Sequence, residues 1–333
     1  MSSYLRRVIL AALTGQSFMQ YRNVGQSSLV VSAAGIGCNN FVHRNDIEQA
    51  RALIHTALDL GITLFDTADV YGKRGGSEEY LGQILGARRK DVVIATKFGQ
   101  PMDDEGTLKG ASRDYIMTAA EASLRRLRTD WIDLYQLHWP NAETPIEETL
   151  RALDDLVQQG KVRYIGASNF NGPQIFDAHR AALQRGLSHF VSFQSEYSLL
   201  ARAVEIETIP AMVACGAGLL PYYPLASGLL TGKYKRDAIP EGSRLASPRA
   251  HEQKFIANAN WPVIERLEEF CRAHDRTLLE LAFSWLLARP VVASVIAGAT
   301  RPEQLRLNAA AAGGKLSADD LEEVDRITQG SPT

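Results

Sequence analysis

The sequence predicts an α/β fold: a single (β/α)8 TIM barrel with an N-terminal β-hairpin and an additional C-terminal helix. Two observations predict it. Short aliphatic and β-branched runs alternate with longer amphipathic runs, and most of the short runs start about 27–40 residues apart, as strand–helix units require. Eight such units suit a closed parallel barrel better than an open doubly wound sheet. In addition, the stretch Gly35-Ile36-Gly37-Cys38-Asn39-Asn40 lacks the third glycine that a dinucleotide-binding open sheet carries after its first strand. No linker divides the chain, so residues 19–333 read as one barrel domain.

The elements follow in order. Residues 20–32 hold two short strand-like stretches around Gly25-Gln26-Ser27-Ser28, a hairpin pattern. Ala33–Gly37 is the first barrel strand, followed by a helix from Asp46 to Leu60 that Gly61 ends in the C′ position. Strands at Ile62–Asp66, Val92–Thr96, Trp131–Gln136 and Val162–Ala167 alternate with helices at 78–85, 113–127, 146–159 and 173–183. Strands at Phe190–Gln194 and Leu219–Tyr223 flank a helix at 205–215. A long polar insertion then precedes helices over 262–288, the last strand at Val292–Ala297, and helices at 302–311 and 318–327.

Composition narrows the function classes. The 333 residues carry 36 basic and 38 acidic side chains with no long run of either sign, so a nucleic-acid footprint is absent. No apolar stretch reaches the length a membrane helix needs. Cys38, Cys215 and Cys271 are odd in number and far apart, which fits neither a disulfide framework nor a metal site and suits a reducing cytoplasm. The seven histidines include no pair at ligand spacing, so no metal is expected. Residues 1–18, with Arg6 and Arg7 before the short apolar run Val8–Leu13, read as a dispensable extension ahead of a compact start at Met19.

In a barrel of this kind the functional side chains follow the C-terminal ends of the strands, because those loops share one face. Reading those positions alone gives Asp66 and Tyr71 in FDTADVYG, Lys97 in IATKFG, His138 in YQLHWP, and Ser168 and Asn169 in GASNF. Gln194, Tyr222 and Gly298 end the later strands. An acid, a phenol, a lysine and a histidine on one mouth suit carbonyl reduction. Tyr71 donates a proton, Lys97 pulls its pKa down, Asp66 anchors the lysine, and His138 hydrogen-bonds the developing alkoxide. Singly, each residue has a plainer reading: a helix cap or turn for Asp66, a satisfied core histidine for His138, packing for the tyrosines. Their convergence on one face favours the chemical reading.

Taken in order, FDTADVYG, ATKFG, YQLHWP, GASNF, FQSEYS, YYPLASGLLTGKY and GATRPEQLRLN resemble the aldo-keto reductase family over about residues 19–328. The resemblance implies NAD(P)H bound extended across the barrel and a tetrad of Asp66, Tyr71, Lys97 and His138. It also implies that Ser168, Asn169 and Gln194 hold the carboxamide, and that Tyr222 stacks on the nicotinamide. Cys38, Asn39, Tyr223 and Gly298 would lie along the cofactor. Pro224, Leu225 and Ser227 would line the pyrophosphate. Lys233, Arg244, Thr300 and Gln304 would surround a 2′-phosphate, and Asn308 the adenine. The basic cluster Lys233, Lys235, Arg236 and Arg244 favours NADPH over NADH.

The insertion after the seventh strand resembles the branch that includes bacterial reductases and potassium-channel β subunits. The expected partner is a small aldehyde or ketone, and the alternative is a cofactor-binding regulatory subunit. Leu307, Tyr223 and Asn141 depart from residues common in that branch. The stretch Gly228–Lys233 resembles a phosphate loop but is one residue short, and Tyr234 stands where Ser or Thr is required.

Overall fold

A computed structural model describes residues 19–247 and 249–329; the extension predicted over residues 1–18 lies outside them. Two strands, β1 (Tyr21–Asn23) and β2 (Val30–Ser32), pair antiparallel as the predicted hairpin. It seals the N-terminal end of the barrel. Gly25 packs so closely there that a Cβ would lie 2.4 Å from Gly216 O, and its φ of +57° also suits glycine.

Eight parallel strands follow: β3 (Ala34–Gly37), β4 (Leu64–Asp66), β5 (Val93–Phe98), β6 (Ile132–Leu137), β7 (Val162–Ser168), β8 (Ser192–Glu196), β9 (Gly218–Tyr222) and β10 (Val295–Gly298). From β3 to β9 each pairs with the next, and β10 pairs with β3. Closure between β9 and the segment before β10 comes from Ala293 N–H donating to Leu219 O at 3.0 Å and Leu219 N–H to Val291 O at 2.7 Å. Inward-facing Leu64, Ala95, Leu134 and Leu220 form an inner core with Val24, Leu29 and Val31 of the hairpin region. The outward faces of the strands pack against the helices in a second, larger core that includes Phe65, Ile94 and Trp285. This is the two-sided burial that parallel barrel strands require.

The helices start where their sequences provide caps. Asp46, Asn171, Thr277 and Ser317 each cap a helix in a reciprocal box with the residue three positions on. The strand limits shift from the sequence reading by one to three residues. Two regions differ more. The helix expected at 78–85 is preceded by a left-handed turn: Gly72, Lys73 and Arg74 have φ between 63° and 68°, and Gly75 has φ 118°. The polar insertion after β9 contains short 3-10 turns at Ala226–Thr231 and Arg244–Ala246 and a helix at Ala250–Ala257. Its polarity hides the helical period. Among the described residues, no helix is long and apolar enough to cross a membrane.

Candidate active site

Three strand ends deliver the predicted tetrad to one place, Asp66 and Tyr71 both following β4. Asp66 ends β4 and Lys97 lies in β5, both buried. Lys97 Nζ donates to Asp66 Oδ1 and Oδ2 and to Thr67 O, each at 2.8 Å. The ammonium lies 5.0 Å from the centre of the Tyr71 ring. His138, just past β6, meets that ring edge-on with centroids 5.8 Å apart. Tyr71 is held by the left-handed turn that follows it, and the turn is pinned from below. Ser77 Oγ donates to Cys38 O at 3.0 Å and lies 2.8 Å from Thr67 Oγ1. Glu78 accepts from Thr96 Oγ1 at 2.5 Å and from Arg126 Nε at 2.7 Å. Two adjacent non-glycine residues in the left-handed region are strained, and such strain persists where the surroundings fix it.

The electrostatics follow from burial and charge. Burial pulls the Lys97 pKa down, but Asp66 and Tyr71 more than offset it, so the ammonium is held above the ordinary lysine value. For Tyr71, burial raises the pKa and outweighs the lowering by Lys97. The sequence reading anticipated the lowering but not that burial would exceed it. Burial and then Lys97 push His138 down to about 3, so its imidazole is neutral near pH 7. Its Nδ1 is buried without a hydrogen-bond partner among the described residues. A neutral imidazole and a proton-bearing phenol facing one space can both donate to one oxygen atom.

A cavity of about 1060 Å³ opens from this group across the C-terminal face of the barrel. Its lining includes Asn39, Ser168, Asn169, Gln194, Tyr222, Tyr223, Pro224, Leu225, Ser227, Lys233, Arg244, Gly298, Thr300, Gln304 and Asn308, so the structure gathers fifteen of the sequence-derived cofactor residues. Within it Tyr222 OH donates to Asn169 Oδ1 at 2.8 Å, and Asn169 Nδ2 donates to Ser168 Oγ at 3.0 Å. The buried Ser227 hydroxyl has no partner among the described residues, which fits an acceptor group such as a phosphate oxygen.

Other expectations need correction. Cys38 is fully buried, with Sγ directed to Ile36 O at 3.8 Å, and is not part of the cavity wall. Lys235 pairs with Glu268 and Arg236 with Glu265, so half of the basic cluster is turned to surface acids. Thr300 donates its N–H and hydroxyl to Gln304 Oε1 at 2.8 and 3.1 Å. Gln194 Nε2 donates to Asp66 Oδ1 at 2.6 Å, tying the amide to the tetrad. The sequence reading missed Arg44, Glu196 and Arg301 as cavity residues. Glu196 was findable, two residues beyond Gln194 on the same face of its strand; the two arginines sit on loops whose path carries no periodic signal. Among the described residues, no group of three His, Cys, Asp or Glu side chains could hold a metal ion.

Comparison with known proteins gives a consistent result. The model of the Aldo/keto reductase family matches residues 33–329. A protein of Arabidopsis thaliana named "Probable voltage-gated potassium channel subunit beta" is 38% identical over 328 residues, covering 94% of this chain and 98% of its own. L-glyceraldehyde 3-phosphate reductase of Escherichia coli strain K12 is 35% identical over 320 residues, covering 92% of each. Among solved structures, the holo form of the aldo-keto reductase AKR11C1 from Bacillus halodurans is similar, with TM-score 0.76 and 35% identity, over 93% of this chain and 96% of that one.

Proposed function

The chain belongs to the aldo/keto reductase family of oxidoreductases, and from that premise we propose that it reduces aldehydes or ketones to alcohols with NADPH, Tyr71 acting as the proton donor. The observation that carries this reading is the convergence of Tyr71, His138 and the buried Lys97–Asp66 pair at one end of the cavity. When bound, the nicotinamide supplies a hydride to the carbonyl carbon. The chain's own residues do the rest. Tyr71 and neutral His138 both donate to the carbonyl oxygen, and Tyr71 then passes its proton as negative charge gathers there. Lys97 stabilises the phenolate that results, and Asp66 holds the lysine charged and in place.

The lining supports this cofactor in three regions. Ser168, Asn169 and Tyr222 suit an amide-bearing aromatic ring, and the orphaned Ser227 hydroxyl suits a pyrophosphate. Lys233 and Arg244, with Arg301, supply positive charge where a 2′-phosphate would lie. A fluorescence titration with NADPH and then NADH tests the proposal. Micromolar or tighter binding of NADPH with much weaker binding of NADH supports it. Equal affinity removes the 2′-phosphate site, and no binding of either removes the redox reading. A second reading, a cofactor-loaded regulatory subunit, follows from the 38% identity to the plant protein named as a channel subunit. Steady turnover with micromolar carbonyl compounds rejects it.

A further inference from the structure

Hydrogen-bond register links five strands in one row. Lys97 on β5 pairs with Gln136 on β6, Gln136 with Gly166 on β7, Gly166 with Ser192 on β8, and Ser192 with Gly218 on β9. The strands of a closed barrel are tilted and staggered, so such a row runs from mouth to floor. Lys97 belongs to the tetrad, while a Cβ on Gly218 would lie 2.5 Å from Gly25 N in the hairpin seal. The row faces inward. Ala95 and Leu134, two residues before Lys97 and Gln136, belong to the inner core. A Cβ on Gly166 would lie 2.4 Å from Ser192 Oγ and 3.2 Å from Gln136 Cγ.

Barrel interiors are usually filled by bulky branched side chains. Here one row contains two glycines, a serine and a glutamine. Gln136 and Ser192 are fully buried, and Gln136 Oε1 and Nε2 and Ser192 Oγ have no hydrogen-bond partner among the described protein atoms. A primary amide offers two donors and two acceptor positions, and burial without partners is costly. Buried water occupies settings of this kind, where several polar groups share an interior space.

We propose that Gln136 and Ser192 form an internal water-binding site inside the barrel, below Lys97, and that through it Gln136 acts as a positioning residue for proton transfer. The amide and its water replace part of the solvation that the Lys97–Asp66 pair loses inside the barrel. Burial is the largest influence acting against the charged form of Lys97. An ammonium held in place beside the Tyr71 ring stabilises the phenolate, which makes Tyr71 a stronger acid. This second half rests on the proton-donor reading of Tyr71; the water site does not.

The test combines crystal structures of the cofactor-loaded wild type and Gln136→Leu with pH–rate profiles of both. Wild-type density should show water bonded to the Gln136 amide and Ser192 Oγ, absent from the variant. The variant should bind NADPH within about twofold and keep its KM. Its kcat should fall about tenfold, a fraction of the 10²–10⁴ that a general acid supplies. Reduction needs protonated Tyr71, so the rate falls as pH rises through its pKa. An ammonium less firmly placed beside Tyr71 raises that pKa, and the alkaline limb should move to higher pH in Gln136→Leu. Gln136→Asn, shorter but polar, should lie between the two.

A dry site with the amide bonded directly to protein groups overturns the proposal, as does a Leu variant with wild-type kcat and limb. Should Gln136→Leu fail to fold, Ser192→Ala carries the same readouts: loss of the water with a smaller shift in the same direction supports the site, and an unmoved limb overturns it. Full activity in Tyr71→Phe would remove the proton-donor reading, while the wild-type density would still decide the water site.

Discussion

The two ends of the barrel each bury a carboxylate with a cation, and they treat it differently. At the N-terminal end Asp133 accepts from Arg89 at 2.7 Å, Arg163 at 2.9 Å, Trp131 Nε1 at 3.1 Å and Ile94 N–H at 3.0 Å. Both guanidiniums also lie over the Trp131 ring, 4.7 and 4.6 Å from its centre. That carboxylate is answered entirely by the chain, and it ties β6 to β7 and to the loop before β5. At the C-terminal end Asp66 is also paired, with Lys97 and Gln194, but in the same half of the barrel His138 Nδ1, Ser227 Oγ and the Gln136 amide are buried without partners among the described residues. Satisfied polar burial builds architecture. Polar capacity left over in a cavity marks where the chain expects something else.

Substitutions can break this contrast. Lys97→Met should have the largest effect, lowering kcat/KM by about 10²–10⁴ and also destabilising the fold by about 3–5 kcal/mol, because buried Asp66 loses its charge partner. Steady-state kinetics and thermal melting on one sample separate the two. Asp133→Ala leaves Arg89 buried and unpaired and should cost about 3–5 kcal/mol in a denaturant melt. Turnover per folded molecule should stay within about twofold, since the substitution touches no group at the mouth. Turnover falling as far as in Lys97→Met would show that the ends are not independent.

The next effect is pH-dependent. Because His138 titrates at about 3 in the folded protein, against 6.5 ordinarily, the unfolded chain binds this proton first as pH falls. Stability should therefore drop between pH 6.5 and 3, with one proton contributing about 1.4 kcal/mol per pH unit. Melting temperatures across that range should show the contribution gone in His138→Gln. The rate profile should show no inflection near 6.5 from this residue.

Much of the site was legible because strand ends are fixed by a strong signal. The period-2 and buried runs locate β4, β5 and β6, and the residues that follow them must share a face, so Asp66, Lys97 and His138 could be placed together. Tyr71 could be assigned to the mouth, but not its left-handed support, because Lys73 and Arg74 carry no turn signature. Loop charges were the least legible. Lys233, Lys235 and Arg236 look equivalent in sequence, yet only Lys233 lines the cavity while the others meet acids some thirty residues away. Long-range pairing of this kind has no local pattern.

That difference among lysines yields the smallest expected effect. Lys233→Ala should weaken NADPH binding about tenfold, in the range of one charge-assisted hydrogen bond, and leave NADH within about twofold. Lys235→Ala should change neither affinity, and its exposed pair with Glu268 is worth at most about 1 kcal/mol of stability.

Single-turnover reduction of an aldehyde by NADPH-loaded protein, comparing wild type with Tyr71→Phe, tests the central claim most directly. Equal NADPH affinity with a reduction step slower by about 10²–10⁴ is the result required if the phenol is the acid poised over Lys97 and Asp66. Equal rates in the two proteins would contradict it.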